Sequence, residues 1–145
     1  MVVFPNFEQH ALDDEHVLWT GTLPDSLTAD DSLFEKLWEL HPDEFHAVKM
    51  HGRWVKTPRW QQAYNRDYQF TGSRNHALAT PDLLQPFLDW SQEAIDERLN
   101  GILVNWYDAT QGHYIGRHRD RPNHLIEGSP IVTISLGEER KFRMR

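Results

Sequence analysis

The strongest constraint on the fold is a change in the sequence pattern at Gly101. Before it, apolar residues at helical spacing predict helices at about 30–41 and 86–98, and strand patterns lie at 16–22 and 45–56. After it come only strand-like segments, at 102–107, 113–118, 131–136 and 142–145. Mixed elements followed by strands alone indicate an α+β fold whose second half is a sandwich or an open barrel.

Composition narrows the classes of protein and of site. The 145 residues include no cysteine, which excludes disulfides, thiolate metal sites, iron–sulfur clusters and cysteine nucleophiles. Any metal must therefore bind His, Asp or Glu, and the chain has nine histidines. Hydrophobic residues make up 39% of the chain, too many for a disordered one, and no apolar run is long enough to span a membrane. We expect a cytoplasmic monomer, nuclear if eukaryotic, without a membrane partner.

Charge is unevenly distributed along the chain. Residues 1–48 carry 11 of the 22 acidic residues and only one of the 15 basic residues. Residues 49–74 interleave basic with aromatic side chains, among them Arg53, Lys56, Arg59 and Tyr68. This pattern favours nucleic acid, because cations pair with phosphates while bases stack on rings. The alternative is a solvated sheet face over a buried aromatic underside. Pro58 predicts an edge strand or a loop directly after it.

One short motif has the spacing of a metal site. His118 and Asp120 are two residues apart at the expected end of a strand, so their side chains project from one face and can bind the same ion. An ordinary surface pair is the alternative. Asn105 and Tyr107, on the preceding strand, are also two residues apart and can face one interior, where polar groups need partners. A carboxylate-bearing ligand beside the metal would supply those partners.

Several motifs occur in an order that resembles the AlkB-like iron(II)/2-oxoglutarate dioxygenases, especially the members that repair alkylated nucleic acid. The motifs are Gly52-Arg-Trp-Val-Lys-Thr-Pro-Arg59, Tyr68-Gln-Phe-Thr-Gly72, Asn105-Trp-Tyr107, Ile115-Gly-Arg-His-Arg-Asp120, Ser129-Pro-Ile-Val-Thr-Ile-Ser-Leu-Gly137 and Arg140-Lys-Phe-Arg143. The resemblance implies a double-stranded β-helix, or jelly roll, with two N-terminal helices packed on one sheet. It implies a single domain over 1–145, with helices and a substrate lid in 1–100 and the first part of the jelly roll in 101–145.

The resemblance also implies roles for individual residues. The family's metal site has two histidines and one carboxylate, and His118 and Asp120 match two of these three iron(II) ligands. Asn105 and Tyr107 match the residues that bind the cosubstrate 2-oxoglutarate, and O2 is the other cosubstrate. The implied reaction is oxidative dealkylation of N-alkylated bases in DNA or RNA, with succinate and carbon dioxide as products. The expected nucleic-acid contacts are Arg53, Lys56, Arg59, Tyr68 and Arg119.

Two features depart from the family pattern. The sequence stops at Arg145, before the family's strands with the distal His ligand and the cosubstrate arginines, so we expect a truncated form of a longer parent. His113 and His124 are alternative third ligands. The other histidines are expected at the surface: His10, His16, His41, His46, His51 and His76.

Pro122 is the second departure, because repair members carry an acidic base contact at this position. Proline cannot offer that hydrogen bond, so base specificity is open. Two alternatives therefore stand beside nucleic-acid dealkylation. One is the same oxygenase chemistry on another substrate, and the other is a nucleic-acid-binding fragment without catalytic activity.

Overall fold

The computed structural model describes residues 6–70, 72–120 and 125–144, so Pro122 and His124 lie outside the described residues. The chain divides into two compact units, Met1–Leu33 and Phe34–Arg145. All site residues predicted from the sequence belong to the second unit. The single domain over 1–145 stays a prediction.

The first unit is built on one antiparallel strand pair. Strand β1 (Phe7–Ala11) pairs with β2 (Val17–Gly21), and the short helix α1 (Asp25–Thr28) follows. Asp13 closes the turn between the strands, because its Oδ1 accepts hydrogen bonds from the backbone N–H groups of Glu15 and His16 at 2.9 and 2.7 Å. The sequence predicted β2 within one residue at each end but did not indicate β1.

The second unit combines helices with short antiparallel strands. Its elements are α2 (Leu33–Trp38), which begins at the last residue of the first unit, then β3 (Ala47–Met50), β4 (Arg53–Lys56), β5 (Trp60–Tyr64), β6 (Tyr68–Phe70), β7 (Ser73–Asn75), α3 (Gln85–Ala94) and β8 (Ile102–Trp106). Within the part of the chain that the structure describes, the ladders are two-stranded and pair β1 with β2, β3 with β4, β5 with β8 and β6 with β7. The fold is therefore mixed, with antiparallel strands, and is compatible with the expected oxygenase class.

The β5–β8 ladder has two chemically different faces. Trp60 lies opposite Trp106, and the next pair along the ladder is Gln61 opposite Asn105. Because side chains alternate along a strand, the two tryptophans share one face while the two amides share the other. The aromatic face packs against α2, since the indole N–H of Trp106 donates to the Leu37 carbonyl at 2.8 Å. This packing fixes the ladder whose opposite face carries the polar side chains.

Trp60 lies at the centre of a cluster of rings. It stacks on His41 with ring centroids 4.1 Å apart and on Phe45 at 5.3 Å, and it meets His113 edge to face at 4.8 Å. Trp60 and His113 are both buried. The prediction that His41 lies at the surface was therefore wrong, because its ring covers the face of Trp60.

The segment after Pro58 is an edge strand, as predicted, because among the described residues β5 belongs to a two-stranded ladder with β8. The strand that follows it, Trp60–Tyr64, is mostly buried and fully paired. Proline weakens a strand by removing a ladder donor, but Pro58 lies two residues before β5 and removes none of its ladder bonds. Tyr114 donates its N–H to the Pro58 carbonyl at 3.0 Å, and Pro58 has no N–H to return the bond.

The strand predicted at 113–118 does not form, so that prediction was wrong. An antiparallel pair is made by residues that exchange two hydrogen bonds, and here only one is made. The strands predicted at 131–136 and 142–145 are also wrong for the described residues, which place no paired strand there. Val132 and Ile134 are half-buried and alternate with exposed Ile131 and Thr133, so the two-residue period is real. A ladder also needs a partner strand, and the described residues supply none.

The turn and helix predictions differ from the structure mainly at element ends. The hairpin turn between β3 and β4 is at His51 and Gly52, as predicted, and both have positive φ, 47° and 79°. Such values are typical of the two-residue turn that matches strand twist. Helix α2 is shorter than predicted at both ends. Before its start, the Asp30 side chain accepts a hydrogen bond from the Ser32 N–H at 2.9 Å in a separate turn. After its end, residues 40 and 41 bond to carbonyls three residues back, which makes tighter turns than those of an α-helix. Within the described ranges, no helix is long and apolar enough to cross a membrane.

Candidate functional site

The structure brings His118 and Asp120 side by side. The imidazole Nε2 lies 3.8 Å from the carboxylate Oδ1, and the side chains are 32% and 38% exposed. His118 Nδ1 lies 3.0 Å from the Gly116 carbonyl. A carbonyl oxygen can only accept, so Nδ1 carries the proton and donates, and in the neutral ring Nε2 then carries the lone pair that a metal would bind.

The pair fits a metal ion in donor chemistry and in distance. Imidazole nitrogen and carboxylate oxygen bind divalent metals at about 2.1 Å, so two atoms on one ion lie at most about 4.2 Å apart. The observed 3.8 Å is within this limit. No group of three potential His, Asp or Glu ligands occurs among the described residues. The structure therefore places two candidate ligands together and leaves the third unassigned.

His113 is not arranged as a third ligand. Its Nδ1 accepts a hydrogen bond from the Asp108 backbone N–H at 3.0 Å. Its ring is buried between aromatic side chains, 5.4 Å from Phe45 as well as 4.8 Å from Trp60. These contacts give His113 a packing role. The other alternative, His124, lies outside the described residues.

Tyr68 lies beside the candidate metal pair. Its hydroxyl is 3.5 Å from Oδ1 of Asp120, a long contact for a hydroxyl donor. Burial raises the pKa of the Tyr68 phenol, and the neighbouring Asp120 carboxylate raises it further. The phenol therefore keeps its proton at neutral pH and presents a donor towards the carboxylate. The contact places β6 next to the end of the 113–120 segment.

Asn105 lies in a network of donors on the polar face of the β5–β8 ladder. Its side-chain oxygen Oδ1 accepts from Arg59 Nε at 2.7 Å and from Gln61 Nε2 at 3.1 Å. Gln61 is 6% exposed, and it lies directly opposite Asn105 in the ladder. The amide of Asn105 is thus held from two sides.

Tyr107 follows β8 and lies close to two cations. The Arg140 guanidinium lies over its ring, 4.8 Å from the centroid, and Arg140 also donates to the His113 carbonyl at 2.7 Å. Burial raises the pKa of the Tyr107 phenol, while Arg59 and Arg140 oppose the rise. Arg140 was not among the residues that the sequence singled out for this site. It had appeared only within a matching motif, and no spacing rule linked it to Tyr107.

Arg59 connects the two halves of the site. It is half-buried, and burial lowers the pKa of its guanidinium while the nearby Tyr107 and Tyr68 raise it. A guanidinium stays charged in proteins even so. No carboxylate among the described residues forms an ion pair with Arg59. The site therefore contains a sheltered positive charge beside the Asn105 amide and close to Tyr68 and Tyr107.

The other predicted nucleic-acid contacts are exposed and spread out. Arg53 and Lys56 lie on β4, and Lys56 forms an ion pair with Glu44 at 3.1 Å. Trp54, between them, is 66% exposed. Arg119 is exposed between His118 and Asp120. The β3–β4 hairpin thus presents a ring and cations to solvent.

A cavity of about 340 Å3 lies against strand β5. It is open, and its lining includes Phe45, His46, Gln61, Gln62 and Asn75. His46 was predicted at the surface, but it is half-buried, and its Nε2 lies 3.2 Å from the Ser73 hydroxyl. Burial lowers the pKa of His46, and the positive charge of Arg59 adds to this effect.

The sequence and the known proteins agree on a family. The 2OG-Fe(II) oxygenase superfamily matches residues 31–145. The DNA oxidative demethylase ALKBH2 of Bos taurus is 32% identical over 114 residues, covering 77% of this chain and 41% of that protein. The Mus musculus protein of the same name is 34% identical over 101 residues, which are 68% of this chain and 42% of that protein. The Homo sapiens protein is 31% identical over 114 residues, which are 77% of this chain and 43% of that protein. The chain thus spans about two fifths of the length of these relatives.

Proposed function

The chain belongs to the 2OG-Fe(II) oxygenase superfamily, as its AlkB-like motifs indicated, and we propose that it carries part of the active site of an enzyme that oxidatively dealkylates N-alkylated bases in DNA or RNA. Membership of this family implies a requirement for Fe(II), 2-oxoglutarate and O2. The observation that carries the proposal is the close placement of the His118 imidazole and the Asp120 carboxylate.

In this proposal His118 and Asp120 hold Fe(II). The hydrogen bond to the Gly116 carbonyl favours the tautomer in which Nε2 carries the lone pair, and the Tyr68 hydroxyl lies close to the carboxylate. When bound, the iron supplies oxidation of a C–H bond, coupled to conversion of 2-oxoglutarate to succinate and carbon dioxide. The protein contributes position and polarity to this chemistry. Two ligands fit, and we propose that the third comes from outside the described residues.

Asn105 and Tyr107 bind the cosubstrate in this proposal. Both side chains are half-buried and lie among donors and cations rather than among acceptors. An anionic diacid is stabilised in such surroundings because its oxygens accept hydrogen bonds from neutral donors and pair with guanidinium groups. Burial keeps the Tyr107 phenol protonated and therefore able to donate.

Nucleic acid is the proposed substrate, and the relatives' name, DNA oxidative demethylase, supports it. The β3–β4 hairpin offers Trp54 for stacking beside Arg53 and Lys56 for phosphates. Arg119 is exposed next to the proposed metal ligands, and we propose that it contacts a phosphate of the same nucleic-acid strand.

We also propose that this chain forms part of a jelly roll. The described ladders are antiparallel, as that fold requires, and residues 131–134 keep the alternating exposure of a strand that needs a partner. Partner strands for this segment would complete the sheet.

Succinate release by the full-length protein tests the proposed function. We expect release that depends on iron and is stimulated by methylated DNA or RNA, and we expect His118→Ala and Asp120→Ala to abolish it. His10→Ala is the matched control, because this histidine is remote in sequence and, among the described residues, its side-chain partners are Thr20 and Glu8. Turnover with a protein or a small molecule alone would refute the substrate class, and iron-independent release would refute the chemistry.

A nucleic-acid-binding module without catalysis is the second candidate. It is favoured because the described residues bring together two candidate metal ligands rather than three, and because the β3–β4 hairpin exposes a ring and cations to solvent. In that case, single strands bind with a steep salt dependence, while calorimetry detects no binding of Fe(II) or Mn(II).

A further inference from the structure

The orientation of the Asn105 amide is fixed by its neighbours. The atom that accepts from Arg59 at 2.7 Å must be the oxygen, since a guanidinium offers donors only and cannot accept from an NH2 group. Gln61 Nε2 adds a second donor to the same oxygen at 3.1 Å. Turning the amide over would break both bonds and bring donors against donors.

This orientation leaves the Asn105 NH2 group as the part of the amide that meets a ligand. In the described part of the chain, no residue accepts a hydrogen bond from Nδ2, since the bonds to this side chain end on Oδ1. Two N–H donors therefore face away from Arg59 and Gln61. A ligand atom placed there must accept hydrogen bonds, as a carboxylate or keto oxygen does.

We propose that Arg59 and Gln61 are positioning residues of the cosubstrate site. They hold Asn105 with its NH2 group outward, so that the amide binds an oxygen of 2-oxoglutarate, and the charge of Arg59 favours an anion beside it. This inference rests on the proposed function. It gives Arg59 a role different from the nucleic-acid contact predicted from the sequence, and it adds Gln61, which the sequence did not single out.

The ladder shows why Gln61 serves this role and its neighbour Gln62 does not. Gln61 is buried and lies opposite Asn105. Gln62 lies opposite Val104 on the other face and donates instead to the backbone carbonyls of Ala63 and His76 at 2.9 and 3.0 Å. The two glutamines are thus a matched pair in one strand, and only one of them reaches the Asn105 amide.

Titration of 2-oxoglutarate into the full-length protein loaded with Mn(II) tests the inference by calorimetry. We expect Gln61→Met to raise the Kd for 2-oxoglutarate about 3- to 10-fold, the worth of one hydrogen bond. Arg59→Lys should raise it about 10-fold, because an ammonium keeps the charge but lacks the Nε–H that donates to Asn105 in a charge-assisted hydrogen bond. Gln62→Met is the control and should leave the Kd within about 2-fold, since it removes no bond to Asn105.

Steady-state kinetics separate positioning from general damage. The Gln61→Met variant should raise the KM for 2-oxoglutarate while kcat and the KM for nucleic acid stay near wild type. Thermal melts of all variants identify one that fails to fold. If Gln61→Met is unfolded, Arg59→Lys decides the question by the same measurements.

The outcomes distinguish this inference from the proposed function. If the wild-type protein with Mn(II) binds no 2-oxoglutarate, both are wrong. If wild type binds it and Asn105→Ala weakens binding, but Gln61→Met and Arg59→Lys bind as wild type does, only the inference is wrong. If Arg59→Lys raised the KM for nucleic acid and left the KM for 2-oxoglutarate unchanged, Arg59 would be a substrate contact and the positioning role would be wrong.

Discussion

The two tryptophans that face each other across the β5–β8 ladder differ in one respect that a pair of substitutions can measure. Trp106 donates its indole N–H to the Leu37 carbonyl at 2.8 Å, whereas the indole N–H of Trp60 is buried without a hydrogen-bond partner among the described residues. Both rings are at most 9% exposed and lie on the same face. Replacing either tryptophan with phenylalanine removes a similar area of buried ring. In Trp106 the replacement also removes a hydrogen-bonded N–H, whereas in Trp60 it removes an unpaired one.

The expected magnitudes follow from these contacts. Each change removes roughly 40 Å2 of buried ring, which costs about 1 kcal/mol of unfolding free energy. Trp106→Phe also loses a hydrogen bond worth about 1 kcal/mol. Trp60→Phe instead removes an unpaired N–H whose burial costs about 1–3 kcal/mol, so its net effect lies between about zero and about 2 kcal/mol of stabilisation. Trp106→Phe should therefore be the less stable variant by about 2–4 kcal/mol.

Urea unfolding followed by circular dichroism measures this difference. At a slope of about 2 kcal/mol per M, the midpoint of Trp106→Phe should lie about 1–2 M below that of Trp60→Phe. Equal midpoints, or a lower midpoint for Trp60→Phe, would show that the hydrogen bond to α2 does not determine the stability of this face.

Three further predictions concern stability. Hydrogen bonds from Thr110 and Gln111 lower the pKa of Asp108 to about 2. The ionised carboxylate therefore adds to the free energy of unfolding, fully above the unfolded-state pKa of about 4, and this stabilisation is lost as the pH falls towards 2. Asp108→Asn should remove this part of the acid transition in urea titrations at pH 2–5, and an unchanged profile would contradict it. Burial lowers the pKa of His46, so stability should fall as pH drops below about 6.5. His46→Gln should flatten that slope in thermal melts, and a slope equal to wild type would contradict the assignment. His51 has a positive φ of 47°, so His51→Asn should stabilise the hairpin by roughly 0.5 kcal/mol, and a lower melting temperature would count against it.

The sequence predicted elements where local pattern and burial agree. Strand β8 was predicted over 102–107 because its apolar run is continuous, and the structure has it over Ile102–Trp106. Strand β1 was missed because the residues Phe-Glu-Gln-His-Ala carry no strong strand preference and owe their conformation to pairing with β2. The strand predicted at 113–118 failed although its own pattern was suitable, since among the described residues it makes one backbone bond to Pro58 and enters no ladder.

The candidate site was predictable where its members are close in sequence. A spacing of two residues brought out His118 with Asp120 and Asn105 with Tyr107, and the structure places the first pair together. Gln61 and Arg140 were missed as site residues because their contacts depend on strand register and on a fold-back of the chain. Neither relation is encoded in local spacing. The burial of His41 and His46 was missed for the same reason, since both are covered by residues distant in sequence.

The two faces of the β5–β8 ladder make it intolerant of a change in length. Inserting or deleting one residue in either strand would exchange the faces, so that indole rings would stand where the Asn105 amide meets its donors and amides would enter the ring cluster around Trp60. Point substitutions can vary the cosubstrate network while the core stays intact, but an insertion would damage both at once. Natural variation in this region should therefore consist of replacements, with gaps confined to the connecting loops.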